Sequence, residues 1–249
     1  MHTLFLMIFT CLLPGAGQVN PAPQTGPLPE VYPIAHATAV LNWGGTIVYI
    51  DPVGGAEAFA GQPAANLILV TDLHGDHYDT TTLQALKRAG TQIVAPLAVQ
   101  SQMPPDLQES TRVLENGATL ELAGVQITAI PMYNLREEAQ KFHQKGRGNG
   151  YVLEKGGVRV YFSGDTEDIP EMRALQDIDL AFVCMNLPYT MTVEKAADAV
   201  LAFKPRKVYP YHYRGNPEVS DVKRFAELVH AGNPDIEVVQ LDWYPADPY

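Results

Sequence analysis

The chain has 249 residues, 46% of them hydrophobic, and carries a formal net charge of -11. That length suits one α/β domain with a proper core, and a charged fraction of only 18% argues against global disorder. Acidic residues outnumber basic ones, 28 to 17, so no nucleic-acid partner is expected, because phosphate binding needs clustered cations. Two cysteines cannot build a disulfide scaffold or a zinc finger, so any metal must be held by the seven histidines and by carboxylates.

Residues 4–13 form a nearly unbroken apolar run. It is too short to span a bilayer, which takes about 20 residues. With Pro14-Gly15-Ala16-Gly17 behind it, the run reads as a signal peptide over 1–17. That implies export to the periplasm or beyond, without stable membrane insertion. A lipidated Cys11 and a buried N-terminal element are the alternatives. Six prolines between Pro14 and Pro33 make 18–33 an extended tether. Neither a second linker nor an internal repeat follows, so 34–249 is read as one domain.

Within it, 39–41 and 46–50 flank Asn42-Trp43-Gly44-Gly45 as a hairpin ending at Asp51-Pro52. Residues 66–71 are a short continuous apolar run, as expected of a strand buried on both faces. A polar loop follows, then a helix over 80–89 that stops at Gly90, and a strand over 92–96. Residues 118–122 pair with 125–130, and 150–154 with 158–163, again as hairpins. Strands at 180–184, 207–211 and 237–241 alternate with helices at 193–203 and 220–230. Hairpins together with strand–helix alternation fit two mixed sheets packed face to face with helices outside, an αββα sandwich.

The densest chemistry lies in Asp72-Leu73-His74-Gly75-Asp76-His77-Tyr78-Asp79, directly after a buried strand. Asp72, His74 and Asp76 alternate along an extended segment, and His77 comes round in the turn that starts the helix. Imidazole with carboxylate suits zinc, iron or manganese. The plain alternative is a polar turn in which Asp76 or Asp79 caps the helix.

This segment resembles the H-x-H-x-D-H motif of the metallo-β-lactamase fold hydrolases, with Asp72 at the first His position. Ser163-Gly164-Asp165-Thr166 resembles the family's Gly-Asp-Thr turn, and Tyr209-Pro210-Tyr211-His212 its strand-end histidine. Ile34-Ala35-His36-Ala37 and Ile50-Asp51-Pro52 resemble the opening of the branch with L-ascorbate-6-phosphate lactonase and N-acyl-phosphatidylethanolamine phospholipase D. The likeness spans residues 34–242. It implies the αββα fold and one or two divalent ions, zinc or manganese with iron as an option. His77, Asp76, Asp165 and His212 would make one site. His74, Asp165 and Asp72 would make the other, with Asp165 bridging. The family places one more histidine before the Gly-Asp-Thr turn. Here Pro131-Met132-Tyr133-Asn134 has none, so His143 either folds in or leaves that site weak. Asp51 or Asp79 would orient the ligand histidines.

The implied chemistry is attack by metal-bound hydroxide on an ester, lactone or phosphodiester, with Asp76 and Asp165 as catalytic carboxylates. Lys141, His143, Lys145 and Arg147 form a small basic loop, read either as an anion clamp or as a solvated loop. The clamp reading makes the substrate a small anionic molecule, with His36, Lys145, Arg147 and Arg214 as contacts. Tyr189 is read as packing before cleft lining, and Cys184 as packing before nucleophile. The rivals are a di-iron redox or metal-binding protein and a non-catalytic descendant of the same fold.

Overall fold

The computed structural model describes residues 26–244. The signal-peptide stretch and the first half of the tether lie outside them. Two mixed sheets pack face to face with helices on their outer surfaces, as the αββα reading expects.

The first sheet runs in order β1 (Glu30–Ala35), β2 (Thr38–Trp43), β3 (Thr46–Ile50), β4 (Leu67–Leu69), β5 (Gln92–Ala95) and β6 (Thr111–Val113). β1 to β3 are antiparallel and β3 to β6 parallel. The second sheet comprises β7 (Thr119–Leu122), β8 (Val125–Met132), β9 (Gly148–Lys155), β10 (Val158–Phe162), β11 (Leu180–Val183), β12 (Lys207–Pro210) and β13 (Glu237–Val238), stacked in sequence order. β7 to β10 are antiparallel and β10 to β13 parallel.

The period of two in the apolar runs divides each strand between two cores. Val48, Ile50, Leu67 and Leu69 face the second sheet, with Ile127, Ala129 and Leu153. Ile47, Tyr49, Ile68 and Val70 face outward, under α1 (Thr80–Leu86), α2 (Leu97–Gln100) and α3 (Pro105–Gln108), against Leu83, Val99 and Leu107. β4 is wholly buried on both faces, as its unbroken apolar run predicts. Each such side chain contributes about 1.5–3 kcal/mol of burial. The second sheet is covered by α4 (Pro170–Arg173), α5 (Val193–Phe203) and α6 (Val222–Gly232).

Three expectations change. β1 begins at Glu30, inside the stretch read as tether. Its Pro33 is tolerated because β1 is an edge strand with a register shift between Pro33 and Ala35. α1 ends at Leu86, because Lys87 leaves helical geometry at ψ 131°. Asp79 caps that helix, accepting from Thr81 N–H at 2.8 Å, and orients no ligand histidine. Among the described residues no helix is long and apolar enough to cross a membrane.

The ends of β3, β4, β10 and β12 open on the same side of the sandwich. Residues 51, 71–79, 163–166 and 212 therefore meet there.

Candidate metal centre

Asp51 follows β3 and is fully buried. Its Oδ1 accepts the Thr71 N–H at 2.7 Å, and its Oδ2 accepts the Thr71 hydroxyl at 2.6 Å. The same Oδ2 lies 2.8 Å from His77 Nδ1. Nδ1 therefore donates, and His77 Nε2 is turned with its lone pair toward the centre. The turn that brings His77 round is closed by the His77 and Tyr78 N–H groups donating to the His74 carbonyl.

Asp165 sits after β10, in the turn opened by Gly164. That glycine has φ +59°, and a Cβ there would also press on Asn149 O at 3.1 Å. Asp165 Oδ1 is 3.1 Å from His212 Nε2, and Oδ2 is 3.4 Å from both His77 Nε2 and His143 Nε2. Asp76 adds Oδ2 at 3.4 Å from His212 Nε2 and Oδ1 at 3.9 Å from His77 Nε2. His77, Asp165 and His212 thus form one buried cluster able to hold a cation.

A second cluster joins Asp72, His74 and His143. His74 Nδ1 is 2.8 Å from Asp72 Oδ2, and His143 Nε2 is 3.9 Å from it. His143 therefore folds into the centre. Its Nδ1 lies 3.2 Å from both the Tyr189 carbonyl and Asn134 Nδ2; that amide already donates to the Ala139 and Tyr189 carbonyls, so Nδ1 carries the proton toward Tyr189. The Nε2 lone pair is then left buried, facing Asp165. His36 closes a third group with Asp76 and His212, and it leans on Tyr244 OH through Nδ1 at 2.7 Å. Sequence reading placed His36 with the substrate; the structure puts it against the Asp76 carboxylate, with Nε2 at 3.4 Å.

These residues fit a divalent cation. His143 Nε2 and Asp165 Oδ1 are buried with no hydrogen-bond partner, and both point inward. His77 Nε2 and His212 Nε2 lie only 3.1 Å apart between carboxylates. Converging acceptors of this kind need a cation or protons to hold them. The backbone is also held for this purpose. His36, Asp51 and His212 have φ of 53°, 45° and 46°, a left-handed conformation that costs a non-glycine residue about 1–2 kcal/mol.

Electrostatics without metal show what a cation must displace. Burial would lower His77, but Asp165 and Asp51 hold it well above its ordinary value. Burial would likewise lower His212, and Asp165 again raises it. Burial would raise Asp165, yet His212 and His77 hold it well below the usual carboxylate range. In the metal-free centre these carboxylates favour the protonated form of His77, and coordination competes with that proton. Calorimetric titration of zinc at pH 7 in buffers of different ionisation enthalpy should show ~1–2 protons released per ion, with affinity falling as pH drops. Buffer-independent heats would contradict this.

The centre opens into a cavity of about 270 Å³ lined by His74, Asp76, Phe142, His143, Asp165, Asn186 and Tyr189. Phe142 and Tyr189 meet edge to face at 5.1 Å, and Asn186 Nδ2 reaches His212 Nε2 at 3.4 Å. Tyr189 is thus cleft wall, against its reading as packing. Asn186 follows β11, where attention to strand ends would have found it; Phe142 and Tyr244 carry no sequence signal.

Two cations of the expected anion clamp, Arg147 and Lys145, are engaged by carboxylates. Arg147 forks onto Asp72, Nε to Oδ1 at 3.1 Å and Nη2 to Oδ2 at 2.8 Å. Lys145 pairs with Glu171 at 2.7 Å on the surface, over the Tyr133 ring. Neither lines the cavity. Arg214 stacks 4.4 Å over Tyr244. Cys184 is fully buried, and burial pushes its thiol up to about 12, so it packs, as expected, and supplies no thiolate.

Comparison with known proteins agrees with this geometry. Residues 30–212 match the family described as the beta-lactamase superfamily domain. A UPF0173 metal-dependent hydrolase of Thermococcus onnurineus is 34% identical over 191 residues, covering 73% of this chain and 84% of the relative. A Parabacteroides distasonis crystal structure described as a metal-dependent hydrolase superposes with TM-score 0.73 at 36% identity, over 85% of this chain and 92% of that one. The metallo hydrolase Igni18 of Ignicoccus hospitalis shares the fold, with TM-score 0.71 at 22% identity, over 86% of this chain and 94% of its own.

Proposed function

Since this chain belongs to the metallo-β-lactamase superfamily of metal-dependent hydrolases, we propose that it cleaves an ester, lactone or phosphodiester bond in a small molecule with water. The observation that carries this is the buried convergence of His77, His212 and Asp165 beside a cavity of substrate size. Those three residues and Asp76 would hold a zinc or manganese ion, with His74 and His143 beside them. When bound, a divalent cation supplies Lewis acidity and lowers the pKa of water toward neutrality.

The rest of the work falls to the protein. Asp51 fixes the His77 ring, and Asp165 ties His77, His143 and His212 together. Asp76 is partly exposed and lines the cavity, so its carboxylate is placed to accept the proton of an attacking water. Phe142 and Tyr189 form an apolar wall that favours a substrate with an aromatic or aliphatic body. The basic loop drops out as a separate anion clamp, since Lys145 and Arg147 are both paired, and the negative charge of a phosphodiester would be met by the divalent cation. Export remains part of the proposal on the strength of residues 4–17.

Purified protein loaded with zinc or manganese should hydrolyse at least one of aryl esters, aryl lactones and bis-p-nitrophenyl phosphate. Chelation should abolish that turnover and the added ion restore it. Bound iron with an optical band and no hydrolysis would favour the redox rival. A metal-loaded protein silent on all three classes would overturn the proposal.

A further inference from the structure

The centre's two positions differ in charge. At the His77–Asp165–His212 position, Asp76 and Asp165 face inward, and Asp51 stands behind His77. The ion-pair partners of these three carboxylates are histidines, so their negative charge is available to a dication.

The neighbouring position is different. Beyond the shared Asp165, its one carboxylate is Asp72, which is fully buried. Both Asp72 oxygens are already taken by the Arg147 fork. A guanidinium does not lose its proton in a protein, and its planar fork matches a carboxylate. Asp72 and Arg147 together therefore present no net charge to an ion between His74 and His143. A dication there would have a guanidinium nitrogen 2.8 Å from one of its own ligand atoms. Asp72 stands where the H-x-H-x-D-H pattern has a neutral imidazole, so the aspartate and the arginine form one matched replacement.

We propose that the centre holds one divalent cation tightly, at His77, Asp165 and His212, while the Arg147–Asp72 pair makes the adjoining position a weak one. The inference rests on the metal-dependent reading above and deepens it. Arg147 acts here as a positioning residue, a fixed positive charge beside the metal with no direct contact to substrate.

Metal stoichiometry tests it without any assay of turnover. The full chain is stripped with chelator, reloaded with excess zinc, gel-filtered and analysed by plasma mass spectrometry. One ion per chain should remain. Competition with a chromophoric chelator should show the second site weaker by about 100-fold or more, as expected from the missing charge. The double variant Asp72→His/Arg147→Met removes both charges together, leaving neither buried and unpaired. It should retain close to two ions, with circular dichroism verifying its fold. Two ions of similar affinity in the unaltered protein would overturn the inference alone. No retained ion would overturn the metal-centre reading itself. Should the double variant fail to fold, the stoichiometry of the unaltered chain decides.

Discussion

Asp165→Ala is expected to lose its bound metal and to lower hydrolytic turnover by about 10³-fold, the scale on which removing a preorganised electrostatic group acts. Asp165 is the one side chain that faces His77, His143 and His212 together. Without it, three imidazoles converge with only Asp76 beside two of them, His77 and His212. The main charge that raises His77 and His212 above the ordinary histidine range is lost at the same time. Asp165→Asn is the sharper version, since it keeps volume and removes only charge. It should fold as the parent does by circular dichroism and still fail to retain zinc after gel filtration. Metal content and turnover within tenfold of the parent in both variants would remove Asp165 from the centre.

Asp51→Ala should weaken zinc binding by about 10–100-fold although Asp51 is not a ligand, because a ligating histidine depends on the group that holds its other nitrogen. The same change should destabilise the metal-free fold by about 3 kcal/mol. It leaves the Thr71 N–H, the Thr71 hydroxyl and His77 Nδ1–H buried without their acceptor, each such loss amounting to about 1–3 kcal/mol before relaxation. Asp51→Asn does not rescue, since its single amide oxygen can accept either from Thr71 N–H or from His77 Nδ1–H, and the amide nitrogen faces the other donor. Urea unfolding and chelator competition read the two effects separately. Lost stability with unchanged affinity would mean that His77 is oriented by something other than Asp51.

The sheet layout was legible because most of its strands are four residues or longer and carry apolar runs, and three hairpins turn at Gly-Gly or Ala-Gly. β6, α2, α3 and α4 escaped, since three or four residues are too few to show a period. β1 was hidden by prolines that an edge strand can carry. In the site, the motif residues are gathered into one centre, as the resemblance implies, and His143 joins them from an unexpected distance along the chain. What spacing could not reveal was pairing. Lys145 and Arg147 stand two residues apart in a basic loop, yet one reaches Glu171 and the other Asp72, 75 positions earlier. Loop charges find partners through tertiary structure, so a cationic cluster in sequence need not be one in space. Asp51 and Asp79 looked equivalent as helpers of the histidines. One lies at the end of a buried strand and the other at a helix start, and that location divides their roles.

The contact of His36 with Tyr244 spans 208 positions, and the His36 N–H is held by the Trp243 carbonyl at 3.0 Å. This fixes an order of events in time. At ribosomal rates of about 5–20 residues per second, His36 is made on the order of 10–40 s before its partners exist. The group that His36 closes with Asp76 and His212 has no such support until residues 243–244 are made. A chain cut short just before Trp243 would lack the Trp243 carbonyl and the Tyr244 hydroxyl that hold His36, leaving that side of the centre without its brace.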